Sequence, residues 1–408
     1  MSGPGPLEPV EAQQARVLAA VRVLGSESLP LGAAAGRTTA AEVRAAVPIP
    51  VFDNSAMDGY AVHAADLTAA SAERPSLLPV VADLAAGTDL TPELPQGAAA
   101  RIMTGAPLPP GADAIVPVED TDGGVDRVSI RRAPVRGAHI RRAAEDLAVG
   151  DSVLAAGVRL TPARLAAAAA AGHGSLEVRR RPRVAVVATG SELVAPGAPL
   201  RPGSIHDSNS TLLAGLVVGA DAELVLAERV PDDDAALIAA LARARAVGVD
   251  AIVLSGGASV GAYDVARSVL EPRGIAFRRI AMQPGKPQGF GVLEGVPVFA
   301  LPGNPVSVAV SFEVFVRPAL RTMQGRAPFP PPVHALAAVG WRTPPERRQY
   351  APVALEYDGP TLLARPASAG GSGSHLAGSL ALADGFAVVP AERSEVRPGD
   401  ELAVMLVG

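Results

Sequence analysis

The chain has 408 residues, 49% of them hydrophobic but only 3% aromatic, which predicts two to four globular domains with cores built from Ala, Val and Leu. A formal net charge of −5 disfavours a nucleic-acid or anionic-membrane surface, so Arg131-Arg132, Arg141-Arg142 and Arg179 to Arg181 read as solvated faces. Cysteine is absent and the six histidines show no paired spacing, which excludes thiol chemistry and leaves carboxylates to bind any cation.

The start of the chain lacks a basic-then-apolar signal pattern, and no run approaches the ~20 apolar residues that cross a bilayer. A cytoplasmic location, with no membrane or nucleic-acid partner, is the expectation. Residues Pro9 to Leu24 have helical apolar spacing. TTAAEV then leads through an extended passage to the turn PIPVFD. From Val51 to His139, short Val, Leu and Ile runs broken by Gly, Pro and Asp predict a small β domain. TPARLAAAAAAG predicts a helix with Thr161 as N-cap, Pro162 in its first turn and Gly172 at its stop.

From Arg183 the alternation is regular. Strand RVAVVAT, a helix around Ser210 to Val218, strand ELVLAERV, a helix from Asp232 to Ala246, strand DAIVLS, another helix and strand PVFAL predict a doubly wound parallel α/β sheet. Beyond Gln324, APFPPPV marks a boundary before a small all-β domain, and GGSGS near Gly370 reads as a flexible loop.

Three glycine-punctuated segments, SGGASVGAYD, MQPGKP and ALPGNPVS, lie between Ser255 and Ser307 at strand edges, where such sheets bind ligands. Gly256 and Gly257 allow a sharp turn with close backbone approach, Ser255 and Ser259 add hydroxyls, and Asp264 adds a carboxylate. Lys286 is a point charge on a stiff loop, and Asn304 is placed to cap a helix that Pro305 begins. A lone Gly-Gly is more often an ordinary strand-to-helix connection; three such segments together favour a polyanion cradle.

FDNSAMDGYAV from Phe52, RIMTGAPLPPGADAIVPVED from Arg101, ATGSEL, SIHDSN, SGGASVGAYD, QPGKP and LPGNPVS follow one another in an order that resembles the MoeA family over nearly the whole chain. The resemblance implies insertion of molybdate into the dithiolene of adenylylated molybdopterin, with AMP released and Mg²⁺ required. With it, the expected division is a discontinuous linking and dimerisation domain (1–50 with 140–181), a small β-rich lid (51–139), a MogA-like molybdopterin-binding α/β domain with a mixed or parallel sheet (182–327) and a C-terminal β-barrel-like domain (328–408), in an elongated homodimer.

The same resemblance makes Asp58, Asp146, Glu192 and Asp264 the catalytic acids and Glu192, Asp207, Asp232 and Asp264 the metal ligands. Thr104, Ser255, Gly256, Gly257, Ser259, Gly261, Lys286, Pro302, Asn304, Pro305 and Ser307 are expected to hold substrate. Four of these acids have a plainer alternative. Glu192 is also a surface acid, Asp207 a helix cap, Asp232 part of a solvated helix start with Asp233 and Asp234, and Asp58 a turn residue. Asp58, Thr104 and Asp146 are expected to face the sheet domain of a second subunit. Ser259, Lys286 and Ser307 suit molybdate or a substrate phosphate equally. Ala258, Ser191, Gln283 and Ala144 depart from the family's usual residues. A gephyrin-like scaffold and a pterin adenylyltransferase are the competing functions, and molybdopterin adenylyltransferase and apo-molybdoenzymes the expected partners.

Overall fold

A computed structural model describes residues 7–256, 265–367 and 377–407. Helix α1 (Val10–Ala19) stops short of Leu24, because the Leu24 N–H donates to the Met323 carbonyl at 2.8 Å instead of continuing the helix. Val10, Val17 and Val21 are buried in one core with Phe312 and Phe315, so this first helix packs on the α/β sheet.

Strand Ser26–Pro30 pairs with Ser175–Arg179, and Val43–Arg44 with Ser152–Leu154. The segments on either side of the small β region are thereby stitched together. Helix α2 (Pro162–Ala170) has Thr161 as N-cap, its hydroxyl accepting from the Arg164 N–H, and it ends just before Gly172, as its sequence predicts. Between these segments β1 (Gly59–Val62), β2 (Ser76–Leu84), β3 (Ala99–Ile102), β4 (Ala114–Pro117) and β5 (Arg127–Ile130) form a sheet ordered β4-β1-β3-β2-β5. Alternation along β1 sends Tyr60 and Val62 into one core and Ala61 into another.

The central domain has strands β6 (Arg183–Thr189), β7 (Glu223–Val230), β8 (Ala251–Ser255), β9 (Ala276–Arg279), β10 (Pro287–Leu293) and β11 (Val296–Leu301), ordered β7-β6-β8-β11-β10-β9. The first four run parallel, β10 is antiparallel to β11, and β9, antiparallel to β10, runs with the first four again. The sheet is therefore mixed, not purely parallel. Val184 and Val186 pack on α3 (Ser208–Gly219), while Ala185 and Val187 pack on α4 (Asp234–Ala246) and α5 (Val265–Leu270) on the opposite face. Helix α4 begins two residues later than its sequence predicts, because Asp233 is its N-cap and accepts from the Ala236 N–H.

After β11 the chain enters α6 (Pro305–Ser311), a π-helical turn at 312–316, and α7 (Arg317–Met323). Pro318 has no N–H for the Val314 carbonyl, and Gln14 of α1 donates to that carbonyl at 3.2 Å. The last sheet comprises β12 (Val333–Ala337), β13 (Arg348–Asp358), β14 (Thr361–Pro366), β15 (Gly385–Val389) and β16 (Glu401–Leu406). It closes into a barrel through β13 and β15. A short helix, Ala377–Leu380, interrupts the otherwise β pattern, and the GGSGS segment lies outside the described residues. Met282 and Gln283 pair with Arg348 and Gln349, which fastens the barrel to the loop preceding Lys286.

Candidate functional site

Sheet register decides which residues share a rim. Thr189 pairs with Val230, Ala188 with Ser255, Ser255 with Leu301 and Gly289 with Ala300. Since β10 is antiparallel to β11, its beginning lies beside the end of β11. The segments Thr189 to Glu192, Val230 to Asp232, Ser255-Gly256, Lys286-Pro287 and Pro302 to Pro305 therefore gather along the carboxyl ends of the parallel strands, where open α/β sheets bind ligands.

Close packing fixes this rim. A Cβ on Gly256 would come 2.4 Å from the Thr189 carbonyl oxygen, and Gly256 has φ +96, so only glycine suits the turn. The Asn209 amide nitrogen donates to Ser255 Oγ at 2.8 Å and to the Gly303 carbonyl at 2.6 Å, tying α3 to two strand-end loops. Thr189 Oγ1 and Asn209 Oδ1 are nonetheless buried without a hydrogen-bond partner, a deficit of about 1–3 kcal/mol each. Ser307 and Pro302 are buried, whereas Asn304 is exposed. Asn304 does occupy the N-cap position of α6, but its side chain makes no cap hydrogen bond, contrary to its expected role.

The acids on this rim differ in state. Glu192 is exposed, and its carboxylate has no hydrogen bond or ion pair with another described residue. Asp232 accepts from the Ser191 N–H at 2.8 Å, while its own N–H donates to Ser191 Oγ at 3.0 Å. This reciprocal pair gives Ser191, one of the departures, a structural role. Asp207 is buried and caps α3, accepting from the Ser210 N–H at 3.0 Å and the Ser210 hydroxyl at 2.6 Å. Gly257, Ser259, Gly261 and Asp264, with Ala258, lie outside the described residues.

Lys286 sits in a loop held by Gln288, whose amide donates to the Gly285 carbonyl at 2.7 Å and to Ser311 Oγ at 2.6 Å. Partial desolvation, then the nearby Arg279 and Arg347, push the Lys286 ammonium below its ordinary pKa of 10.5. Cations that repel one another in this way form a positive patch suited to an anion. Arg279 and Arg347 escaped the sequence reading because one ends an edge strand and the other belongs to the barrel region. Thr189 and Asn209 were legible as the last residue of RVAVVAT and the asparagine of SIHDSN, but no motif rule singled them out.

A second cluster is built on the small β sheet. Asp58 precedes β1 and Thr104 follows β3, its antiparallel neighbour. The Thr104 N–H and hydroxyl both donate to Asp58 Oδ1, at 2.7 Å each. These bonds from the Thr104 N–H and then its hydroxyl, with the charge of Arg101, hold the Asp58 carboxyl below its ordinary pKa. Gly59 is required here because a Cβ would stand 2.0 Å from the Val116 carbonyl oxygen. Asp146 is exposed, its N–H donating to the Ile49 carbonyl at 2.9 Å. Asp53 bonds Arg142 at 2.6 Å and the Ala143 N–H at 2.8 Å, joining the loops of Asp58 and Asp146. Ala144 takes φ +61, a left-handed conformation costing a non-glycine residue about 1–2 kcal/mol. Among the described residues, no hydrogen bond or ion pair links Asp58, Thr104 or Asp146 to the sheet rim.

Fold and sites together define a multidomain α/β protein with a strand-end ligand rim and a separate acid cluster. The chain belongs to the MoeA family: it matches the MoeA N-terminal region (domain I and II) over residues 8–172, a probable molybdopterin binding domain over 185–322 and the MoeA C-terminal region (domain IV) over 334–407. It is 44% identical over 403 residues to molybdopterin molybdenumtransferase 2 of Mycobacterium tuberculosis, covering 97% of this chain and 98% of that one. It is 35% identical to the molybdopterin molybdenumtransferase of Haemophilus influenzae, over 93% of each. The crystal structure of a molybdopterin biosynthesis MoeA protein from Pyrococcus horikoshii superposes with TM-score 0.82 at 34% identity, covering 98% of this chain and 99% of that one.

Proposed function

We propose that this protein is a molybdopterin molybdenumtransferase of molybdenum cofactor biosynthesis, inserting molybdate into the dithiolene of adenylylated molybdopterin with Mg²⁺-dependent release of AMP. The carrying observation is the single rim on which Glu192, Asp232, Ser255, Gly256, Lys286 and the 302–305 turn meet. It supports a transferase whose substrate is anionic at one end and heterocyclic at the other. The neighbouring Arg279 and Arg347 support the same reading, because their charge favours binding of phosphate and molybdate beside Lys286.

Among the described residues, no three acidic or histidine side chains gather into a metal cage. Hard carboxylate oxygens from Glu192 and Asp232 fit a magnesium ion that completes its shell with water and substrate phosphate. Such an ion would offset the charge of the pyrophosphate while it is cleaved. Asp264 is the proposed third ligand. Asp207 acts by holding α3 in place, through its bonds to Ser210.

Asp58, Thr104 and Asp146 are proposed to complete the rim of a second copy in a homodimer. Their support is the free Oδ2 edge of an ionised Asp58 and the absence of a link to their own rim among the described residues. Cytoplasmic operation, with transfer from a molybdopterin adenylyltransferase and to apo-molybdoenzymes, is proposed from the lability of the product. No helix among the described residues is long and apolar enough to cross a membrane.

The test is a coupled assay with adenylylated molybdopterin and Mg²⁺. Molybdate is expected to trigger AMP release; a folded dimer that releases none contradicts the assignment.

A further inference from the structure

Four buried side-chain atoms among the described residues lack a hydrogen-bond partner, and two of them, Thr189 Oγ1 and Asn209 Oδ1, belong to the ligand rim. Thr189 is only 4% exposed at the end of β6. The orientation of the Asn209 amide follows from its partners. A carbonyl oxygen such as that of Gly303 only accepts, so the amide nitrogen must face it, 2.6 Å away, and the amide oxygen is the atom left over. Ser255 Oγ accepts the second amide proton at 2.8 Å, which leaves its own O–H to donate elsewhere. Gly256 draws these groups together. A Cβ there would stand 2.9 Å from Thr189 Oγ1, and a Cβ on Gly303 would stand 3.6 Å from the Gly256 Cα.

An amide oxygen accepts and never donates. Ionised phosphate and molybdate present acceptor oxygens too, so neither satisfies Asn209 Oδ1. Its partner must carry N–H or O–H. A pterin presents two adjacent N–H donors and a carbonyl along its pyrimidinone edge, which suit an amide acceptor and the hydroxyls of Ser255 and Thr189 on the same rim. We propose that Asn209 and Thr189 recognise this N–H-bearing edge of the pterin, so that their part of the rim selects the heterocycle while the Lys286 loop takes the oxyanions. The inference rests on the transferase reading and assigns the ring to one end of the rim. The adenine amino group is the other heterocyclic donor in the same substrate, and a separate binding arm distinguishes it.

The experiment is anaerobic equilibrium titration of the full-length wild type, Thr189→Val and Asn209→Leu with three probes: molybdopterin without the adenylyl group, AMP and molybdate. Thr189→Val keeps shape and the Asn209 bonds, so it remains informative if Asn209→Leu misfolds. Both variants are expected to bind molybdopterin about tenfold more weakly, with AMP and molybdate affinities within about twofold of wild type. Unchanged molybdopterin binding by Thr189→Val overturns the proposal, as does a loss confined to AMP or molybdate. Those outcomes leave a wild type that still releases AMP on adding molybdate, whereas failure of the transferase reading abolishes that release in the wild type itself.

Discussion

Thr104 donates two hydrogen bonds to a single oxygen of Asp58, from its backbone N–H and its hydroxyl, both at 2.7 Å. The pair favours the ionised carboxyl and leaves Oδ2 of this exposed side chain without a hydrogen bond among the described residues. Asp58→Asn is expected to lower kcat by about 100-fold or more while leaving thermal stability within error. Because the Asp58 pKa lies below the ordinary 3.8, the ionised form prevails at neutral pH, and activity that depends on it falls only as pH drops through that lowered value. Thr104→Val removes one bond and moves the acid limb of the pH–rate profile upward; an unmoved limb contradicts the role given to Thr104.

Gly256 separates the rim's strand end from the segment after it. Gly256→Ala places a Cβ 2.4 Å from the Thr189 carbonyl at φ +96, which predicts a loss of about 1–3 kcal/mol in chemical denaturation. A fully stable Gly256→Ala with normal ligand binding contradicts the packing described for the rim.

Asp221, at φ +57, joins three segments. It bonds Arg159 through both oxygens, at 2.7 and 3.1 Å, and Arg326 at 3.0 Å. Burial alone would raise its pKa, but the bonds and charge of Arg159, with those of Arg326, outweigh it and hold the value below 3.8. The depressed pKa means that its contribution is present above an unfolded aspartate's pKa and lost as pH falls through the folded one. Asn tolerates the left-handed backbone, so Asp221→Asn isolates the charge. It is expected to cost about 2 kcal/mol at pH 7, and the gap from wild type is expected to close as pH falls through the lowered Asp221 pKa in parallel urea melts.

Lys286→Met is expected to weaken molybdate binding by about tenfold or more while leaving the barrel intact. In the wild type, anion affinity declines as pH rises through the lowered Lys286 pKa, so the loss sets in before the ordinary 10.5. The proposed composite site makes a stronger prediction for mixed dimers of Asp58→Asn and Lys286→Met chains. Each impaired parent supplies the residue the other lacks, and one of the two sites in a mixed dimer regains activity. Mixed dimers as impaired as both parents place the two residues in the same subunit's site.

The sheet domain was largely legible because its strands are short apolar runs, such as RVAVVAT and ELVLAERV, whose observed bounds match the pattern. The reversed strand β10 and its neighbour β9 escaped notice because they are amphipathic or glycine-broken, as in PQGFGVL, and carry no mark of direction. Helix α1 ended early for a reason no local rule contains, the capture of the Leu24 N–H by Met323. At the site, acids and glycines announced themselves through motifs. Thr189, Asn209, Arg279 and Arg347 did not, because what distinguishes them is an unmet hydrogen bond or a neighbouring charge, and both arise only when distant segments meet.

Anaerobic single-turnover analysis of the wild type, counting AMP released and molybdenum retained on the dithiolene by mass spectrometry, addresses the transferase assignment most directly. One AMP per molybdenum inserted, dependent on both molybdate and Mg²⁺, is the expected result. AMP release without molybdate, or molybdenum insertion without AMP release, would contradict it.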